Sequence, residues 1–380
     1  MVILFTGAPS GGHFYPLIAV AEEMVRISRE KHLVSPKMYY ASTSVPDQSA
    51  LDTYEISFKK INAGKIRRYF SFKNFTDVFV TFWGSVQSLW MLLTLYPDAV
   101  FSKGGYASVP VVFAAKILGI PVIIHESDAK PGRANLFSAK FADEIAVSFP
   151  DSITYFPEKH RGKIAHTGTP IRRDLQQLQE EGARELVGIP DDGMPILLVL
   201  TGSLGSRAIN ETVIDGLPQL LDTAHVIHQT GKELSGEAQA RSSVVIADHP
   251  HKDRYHPHAF LSVNALKQAA AAANLIVSRA GASAISEFAL WGKPAILIPI
   301  PEDVSHDQRT NALMYADTGA AVMLDQSNVT PSILAAQVHQ ILTDPTQQTR
   351  MRDAALGFAQ PDAATIIAQE LITIGLKHES

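Results

Sequence analysis

A chain of 380 residues exceeds one ordinary hydrophobic core, so two domains are expected, and a composition 46% hydrophobic and 19% charged is that of a globular protein. The net charge of −5 argues against a nucleic-acid binder, and the absence of cysteine excludes disulfides, thiolate-held zinc and a thiol nucleophile together. The opening MVILFTGAPSGG has no basic segment and too short an apolar run for a signal peptide, which predicts a cytoplasmic chain.

Short β-rich runs alternate with helical periodicity from the start. Strands are expected at 2–7, 37–42, 57–63, 98–104, 121–127 and 144–149, with helices over 16–30 and 109–119. Residues 78–96 carry no charge and approach the length of a bilayer span. Thr81, Ser85, Gln87, Ser88 and Thr94 interrupt that run, and residues 97–102 lead straight into a strand. A helix buried against the sheet is therefore the expectation. Residues 151–175 hold turn residues, mixed charge and Gly-Thr-Pro, which predicts a linker near their end. The alternation resumes with strands at 195–202, 224–231, 274–281 and 294–300 and helices around 266–273 and 283–292. Strands alternating with helices imply right-handed crossovers and parallel sheets, so the fold class is α/β with one nucleotide-binding-type sheet in each half. Ligands of such sheets bind beyond the carboxyl ends of the strands, and two such domains imply a cleft lined by strand-end loops.

The polar motifs fall at those strand ends. In the first half they are GAPSGGH (7–13), SKGGYASVP (102–110) and HESDAKPGRAN (125–135). In the second half they are TGSLGSRAIN (201–210), SRAGASAISE (278–287) and PIPEDVSHDQRTNA (299–312). Glycines at a strand-to-helix turn let backbone N–H groups approach a phosphate. The first loop does not match a dinucleotide fingerprint, and no Gly-Lys-Ser/Thr follows it as in a phosphate-binding loop of the Walker type. No Asp-x-Asp pair is present to hold a divalent metal on a diphosphate, so no metal is expected. A leaving diphosphate would then be met by N–H groups, helix N-termini and arginines, with Arg172 and Arg207 near in sequence.

Seven motifs in this order resemble the glycosyltransferases that add N-acetylglucosamine to lipid I in peptidoglycan synthesis, the MurG family. They are GGH, KGGYASVP, HESD-x-x-PG-x-AN, GTP-x-R, GS-x-G-x-R-x-x-N, RAGA-x-x-x-x-E and DQ-x-x-NA, and they cover nearly the whole chain. The resemblance implies the GT-B fold, two Rossmann-like domains with parallel sheets facing across a cleft. It implies an acceptor and membrane-associating domain over 1–165, a donor domain over 166–355, and a C-terminal helix over 356–380 that packs back on the first. The implied reaction is inverting transfer from UDP-N-acetylglucosamine to the C4 hydroxyl of N-acetylmuramic acid on lipid I, with no cofactor. Other UDP-sugar enzymes of this fold, a lipid glycosyltransferase or a UDP-N-acetylglucosamine 2-epimerase, are the alternatives.

Residue by residue, the resemblance implies that Glu287 bonds the donor ribose and that Arg172, Ser203 and Ser283 serve the donor diphosphate. It puts Leu261 near the uracil and gives Asp307, Gln308 and Asn311 to the sugar hydroxyls. On the acceptor side it implies Ser10, Gly11, Gly12, Gly104, Gly105, Tyr106, His125 and Asn135. The base is left among His13, Glu126 and Asp128, and His13 read alone is equally a helix cap or a phosphate contact. GAPSGGH replaces the usual GGTGGH, HESD replaces HEQN, and Ala284 stands where a Thr often offers a hydroxyl.

A lipid acceptor implies contact with a membrane. Residues 65–83 interleave basic residues with aromatics, and Arg67, Arg68, Phe72, Phe75, Phe79 and Phe82 suit the anionic cytoplasmic face of the plasma membrane. The four histidines of HPHKDRYHPH (249–258) lack the spacing of a built metal site.

Overall fold

A computed structural model describes residues 1–65, 72–302 and 306–379. The chain divides into two compact units, one running from Met1 to Arg173 and resuming at Gln360, the other spanning Asp174–Ala359. The first change of unit falls later than the expected 165/166 boundary, and the return begins at Gln360 rather than at 356. Arg173 accounts for the first shift: its guanidinium pairs at 2.6 Å with Glu23, which is 2% exposed in its side chain, and so holds the chain to the first unit.

The first unit contains β1 (Val2–Thr6), β2 (Lys37–Ser42), β3 (Ser57–Lys60), β4 (Ala99–Ser102), β5 (Val122–Glu126), β6 (Glu144–Val147) and β7 (Ile164–His166). Among the described residues they form one sheet in the order β3-β2-β1-β4-β5-β6-β7, every pair parallel. The second unit contains β8 (Ile196–Leu200), β9 (His225–Gln229), β10 (Tyr255–His258), β11 (Leu275–Ser278), β12 (Ala295–Leu297) and β13 (Ala321–Met323). They pair in the order β10-β9-β8-β11-β12-β13, again all parallel. The central strands are buried on both faces, which is why ILLVL and LIVS read as unbroken apolar runs. Sequence patterning misses β7, β10 and β13. All three are edge strands of only three or four residues, too short to show a pattern, and β10 tolerates Pro257 because an edge need not donate every N–H. The stretch 151–175 is therefore not simply a linker, since β7 completes the first sheet.

In each sheet the strand order reverses once, between β1 and β4 and between β8 and β11. Loops leaving adjacent strands on opposite sides of such a point open a crevice beyond the strand ends. The glycine loops at 7–13 and 103–108 leave the first reversal, and those at 201–206 and 279–282 leave the second.

Helix α1 (Gly11–Glu30) starts five residues before the expected position, on Ser10 as N-cap. Ser10 makes no side-chain cap, so no hydroxyl covers the N–H groups of a first turn built from Gly11, Gly12 and His13. The face of α1 carrying Phe14, Leu17, Ile18, Ala21 and Met24 packs on Ile3 and Phe5 of β1. The Ala363–Glu379 helix supplies Ile367, Ala368, Leu371 and Ile372 to the same core. Thr365 Oγ1 donates to Glu23 Oε2 at 2.8 Å, so the buried carboxylate joins α1, Arg173 and the returning helix. Arg26, Thr365 and Arg173 lower its pKa against a burial effect that would raise it.

The Phe72–Leu95 helix corrects the expectation of a buried segment. Its outer face exposes Phe79 by 61%, Phe82 by 68%, Trp83 by 63% and Trp90 by 72%, with Val86 and Leu93 on the same stripe. Of the polar residues that interrupt the run, Thr81, Gln87 and Ser88 face the protein and Thr94 is exposed. Thr81 Oγ1 accepts from Gly64 N at 3.1 Å, Gln87 Oε1 accepts from Asn62 N at 3.0 Å, and Ser88 is fully buried. Gly84 lies against the Asn62 carbonyl and Pro110, where a side chain would not fit. Among the described residues this is the helix long and apolar enough to cross a membrane, over Thr76–Leu95, with only 17% of its most apolar window buried. Phe79 and Phe82 lie on the exposed stripe. Arg67 and Arg68 fall outside the described residues, as do the side chains of Phe72 and Phe75.

Candidate functional site

The loops after β1, β4 and β5 lock together by backbone contacts. Ala8 N donates to the Gly104 carbonyl at 3.0 Å, and Lys103 N to the Thr6 carbonyl at 2.9 Å. Gly105 has φ +80°, and a Cβ there would lie 2.4 Å from Ala8 Cβ. Gly104, at φ +83°, sits under the Asn135 side chain at 2.5 Å from its would-be Cβ. Both glycines are required, one by conformation and contact with the first loop, the other by contact with the third. Tyr106 pairs its hydroxyl with Thr43 Oγ1 at 3.2 Å.

Of the candidate bases, His13 is partly buried at the mouth of these loops, with Nδ1 2.8 Å from Ser10 Oγ. Burial, then the charge of Lys103, lowers its pKa to about 4, so the imidazole is neutral near pH 7. Glu126 is 4% exposed and its oxygens are occupied. Oε1 accepts from Asp128 N at 3.0 Å, and Oε2 accepts from Gly132 N at 2.9 Å and from Asn135 Nδ2 at 3.0 Å. Burial first and the Asp128 charge second raise its pKa. This geometry makes Glu126 a brace of the HESD loop. Asp128 is more exposed than Glu126. The expected acceptor residues His125 and Asn135 are enclosed as well. His125 is fully buried with Nε2 2.8 Å from the Gly168 carbonyl, and Asn135, 4% exposed, also bonds the His125 carbonyl at 3.0 Å. Both are held inside because they carry the turn from β5 into the next helix.

In the second unit, Gln229 at the end of β9 joins two loops: its Nε2 donates to the Gly202 carbonyl and its Oε1 accepts from Leu261 N, each at 3.0 Å. The Leu261 N–H is therefore spent within the protein, and its side chain is 6% exposed. Ser203 is exposed on the glycine loop. Arg279 gathers three strand ends, donating to the Ile298 and Pro299 carbonyls at 3.0 and 3.2 Å and to Ser206 Oγ at 2.6 Å. Burial lowers its pKa to about 10, which leaves it charged at neutral pH. Gly281 caps the Ala282–Leu290 helix without a side chain, leaving its first-turn N–H groups without a side-chain cap, beside the half-buried Ser283; Glu287 lies one turn on. Asp307 opens the His306–Asp317 helix, and Gln308 Oε1 accepts from Ile300 N at 3.2 Å. Asn311 is fully buried, with Nδ2 3.2 Å from the Ala280 carbonyl, so it holds the RAGA loop. Arg207 pairs with Glu237.

Family models for the glycosyltransferase family 28 N-terminal and C-terminal domains match residues 3–147 and 196–367. A curated Treponema denticola protein, UDP-N-acetylglucosamine–N-acetylmuramyl-(pentapeptide) pyrophosphoryl-undecaprenol N-acetylglucosamine transferase, is 34% identical over 97% of this chain and 96% of its own. The chain belongs to glycosyltransferase family 28. The crystal structure of Acinetobacter baumannii MurG matches with a TM-score of 0.75 at 27% identity, covering 98% of this chain and 99% of that one. A UDP-GlcNAc 2-epimerase from Neisseria meningitidis, bound to UDP-GlcNAc, matches with a TM-score of 0.62 at 13% identity over 98% and 100%, which shows a shared fold alone. The family-28 chain thus has the GT-B glycosyltransferase fold and is a hexosyltransferase by family.

Arg172, the expected donor contact, lies at the end of the first unit. Its guanidinium stacks over the Tyr15 ring of α1 at 4.9 Å. The GTPIR segment is held there because Gly168 packs against Gln360 and Ile171 is buried. Sequence reasoning passed over Lys103, Ser127, Gln229 and Arg279. A cation directly before Gly104–Gly105 was a readable signal for Lys103, whereas Gln229 and Arg279 gain meaning only from loops brought together by the sheet. Among the described residues no three His, Asp or Glu side chains converge as metal ligands. Within the histidine-rich stretch, His256 instead stacks on His225 at 5.7 Å.

Proposed function

We propose that this chain transfers N-acetylglucosamine from UDP-N-acetylglucosamine to the C4 hydroxyl of N-acetylmuramic acid on lipid I, giving lipid II with inversion at the transferred carbon. The observation that carries the reading is 34% identity, nearly end to end, to a transferase of that printed activity. The first unit takes the acceptor and the second the donor. In the second unit, Glu287 bonds the ribose, Asp307 and Gln308 read the sugar, and Ser203, Ser283 and the N–H groups opening the Ala282–Leu290 helix meet the developing charge of UDP. In the first unit, the uncapped first turn of α1 receives the acceptor diphosphate, and Arg172 on Tyr15 adds a positive charge beside that turn.

His13 is the base in this scheme, because it is neutral at working pH and stands at the opening of the loops while Glu126 is enclosed. The productive tautomer has Nδ1–H donating to Ser10 Oγ, which leaves Nε2 to accept the hydroxyl proton. An imidazole with so low a pKa provides little driving force, so proton transfer occurs late, as the glycosidic bond to UDP breaks.

The enzyme works at the cytoplasmic face of the plasma membrane, with the exposed stripe of the Phe72–Leu95 helix lying in the lipid interface. A surface position fits because Ser88 and Leu92, on its opposite face, are fully buried in the protein. Turnover of UDP-N-acetylglucosamine with a lipid I analogue, read as disaccharide and UDP, tests the reading. Donor turnover without acceptor would overturn it. Glu287→Ala is expected to weaken UDP-N-acetylglucosamine binding roughly 10- to 100-fold by calorimetry, the loss of charge-assisted hydrogen bonds, with vesicle association unchanged.

A further inference from the structure

Lys103 ends β4 directly before the Gly104–Gly105 turn and is 2% exposed. Its ammonium donates to Ser127 Oγ in the loop after β5. A Cβ built on Gly7 would stand 3.4 Å from Lys103 Cβ and 3.6 Å from His13 Cβ, so the lysine stem and the histidine flank one point of the first loop. An enclosed ammonium is costly unless opposite charge lies close. Glu126 and Asp128, on either side of Ser127 in the chain, supply that charge.

We propose that Lys103 is a positioning residue of this site: anchored on Ser127, it ties the loop after β4 to the loop after β5 and balances the Glu126–Asp128 pair beside His13. The inference deepens the proposed function and rests on its assignment of these loops to the acceptor. Two consequences follow from Coulomb's law. The two carboxylates stand behind loops that must receive an anionic diphosphate, and the cation between them offsets their repulsion. The same cation disfavours a second positive charge on His13, so the imidazole stays in its proton-accepting form. The other titratable group facing it is His125, buried on β5, whose protonation it also opposes.

Removing the cation therefore moves His13 and Glu126 in one direction, toward protonation at higher pH. Two measurements test this on the full-length protein. Histidine ring resonances are titrated by NMR in the native protein and in Lys103→Met, with His13→Gln identifying the signal. The kcat/KM pH profile is then recorded with UDP-N-acetylglucosamine and a lipid I analogue. The expected result in Lys103→Met is an upward shift of the His13 titration and of the acid limb of kcat/KM by about one pH unit. Lys103→Arg, which keeps the charge, should leave both in place. Ser127→Ala, which keeps the lysine but releases its anchor, should shift both in the same direction by less, and it carries the test should Lys103→Met fail to fold. An unmoved His13 titration in Lys103→Met and Ser127→Ala, or a rate loss equal at every pH, would overturn the proposal. The NMR arm needs no turnover, so failure of the native protein to transfer sugar would count against the functional reading alone.

Discussion

The exposed aromatic stripe of the Phe72–Leu95 helix is open to a quantitative test by replacing Trp83 and Trp90 with serine. These side chains are 63% and 72% exposed, so they contribute little to the fold. A tryptophan buries about 200 Å² when covered, which puts roughly 125 and 145 Å² of each in solvent. At about 25 cal/mol per Å², full immersion in an apolar phase is worth about 3 kcal/mol for each ring. An interfacial helix immerses only one side of each ring, so about half of that, or about 3 kcal/mol for the pair, is the reasonable expectation. Because about 1.4 kcal/mol is a factor of ten, the double variant should bind vesicles on the order of 100-fold more weakly. Co-sedimentation with vesicles containing phosphatidylglycerol provides the assay, with thermal unfolding as a control that should not move. Turnover of a water-soluble acceptor analogue should be unchanged. Vesicle partition within twofold of the native value would refute the reasoning and leave the stripe to another partner.

Gly105→Ala puts a Cβ 2.4 Å from Ala8 Cβ at a φ of +80°, and should cost on the order of 3 kcal/mol in stability from strain and loop separation, seen as a lower melting temperature. Gly12→Ala meets nothing within 4 Å and should leave the melting temperature unchanged, so equal behaviour of the two variants would refute the packing argument. Acidification should destabilise the protein: burial lowers His228 to about 3 and His13 to about 4, and holds His125 well below its ordinary value. The unfolded chain takes up these protons near pH 6.5 and the folded one does not, so stability is full above about 6.5 and is lost as pH falls toward the folded values. Glu126 and Glu144, both raised by burial, oppose this, while the lowered His256 and His258 add to it. Denaturant midpoints at pH 7.5 and 5 check the sign, and a higher midpoint at pH 5 would refute it.

The alternation of apolar runs and helical periodicity was enough to determine two parallel α/β sheets, because doubly covered strands must be apolar on both faces. The glycine loops were readable for a related reason, since a backbone at positive φ, as at Gly104 and Gly105, has few other residues to choose. Short edge strands were not readable, because β7, β10 and β13 bury too little to need a pattern. Composition could not assign the faces of the Phe72–Leu95 helix. Thr81, Gln87 and Ser88 interrupted the apolar run without showing which face they lay on, and Asn62 and Gly64 bond Gln87 and Thr81 on the side turned to the protein. The resemblance placed Glu126 among the candidate bases and His125, Asn135 and Asn311 among the substrate contacts. Only the tertiary structure showed them enclosed, each with a hydrogen bond to a neighbouring segment, with Lys103 buried near Glu126 as a charge that no local pattern could have balanced.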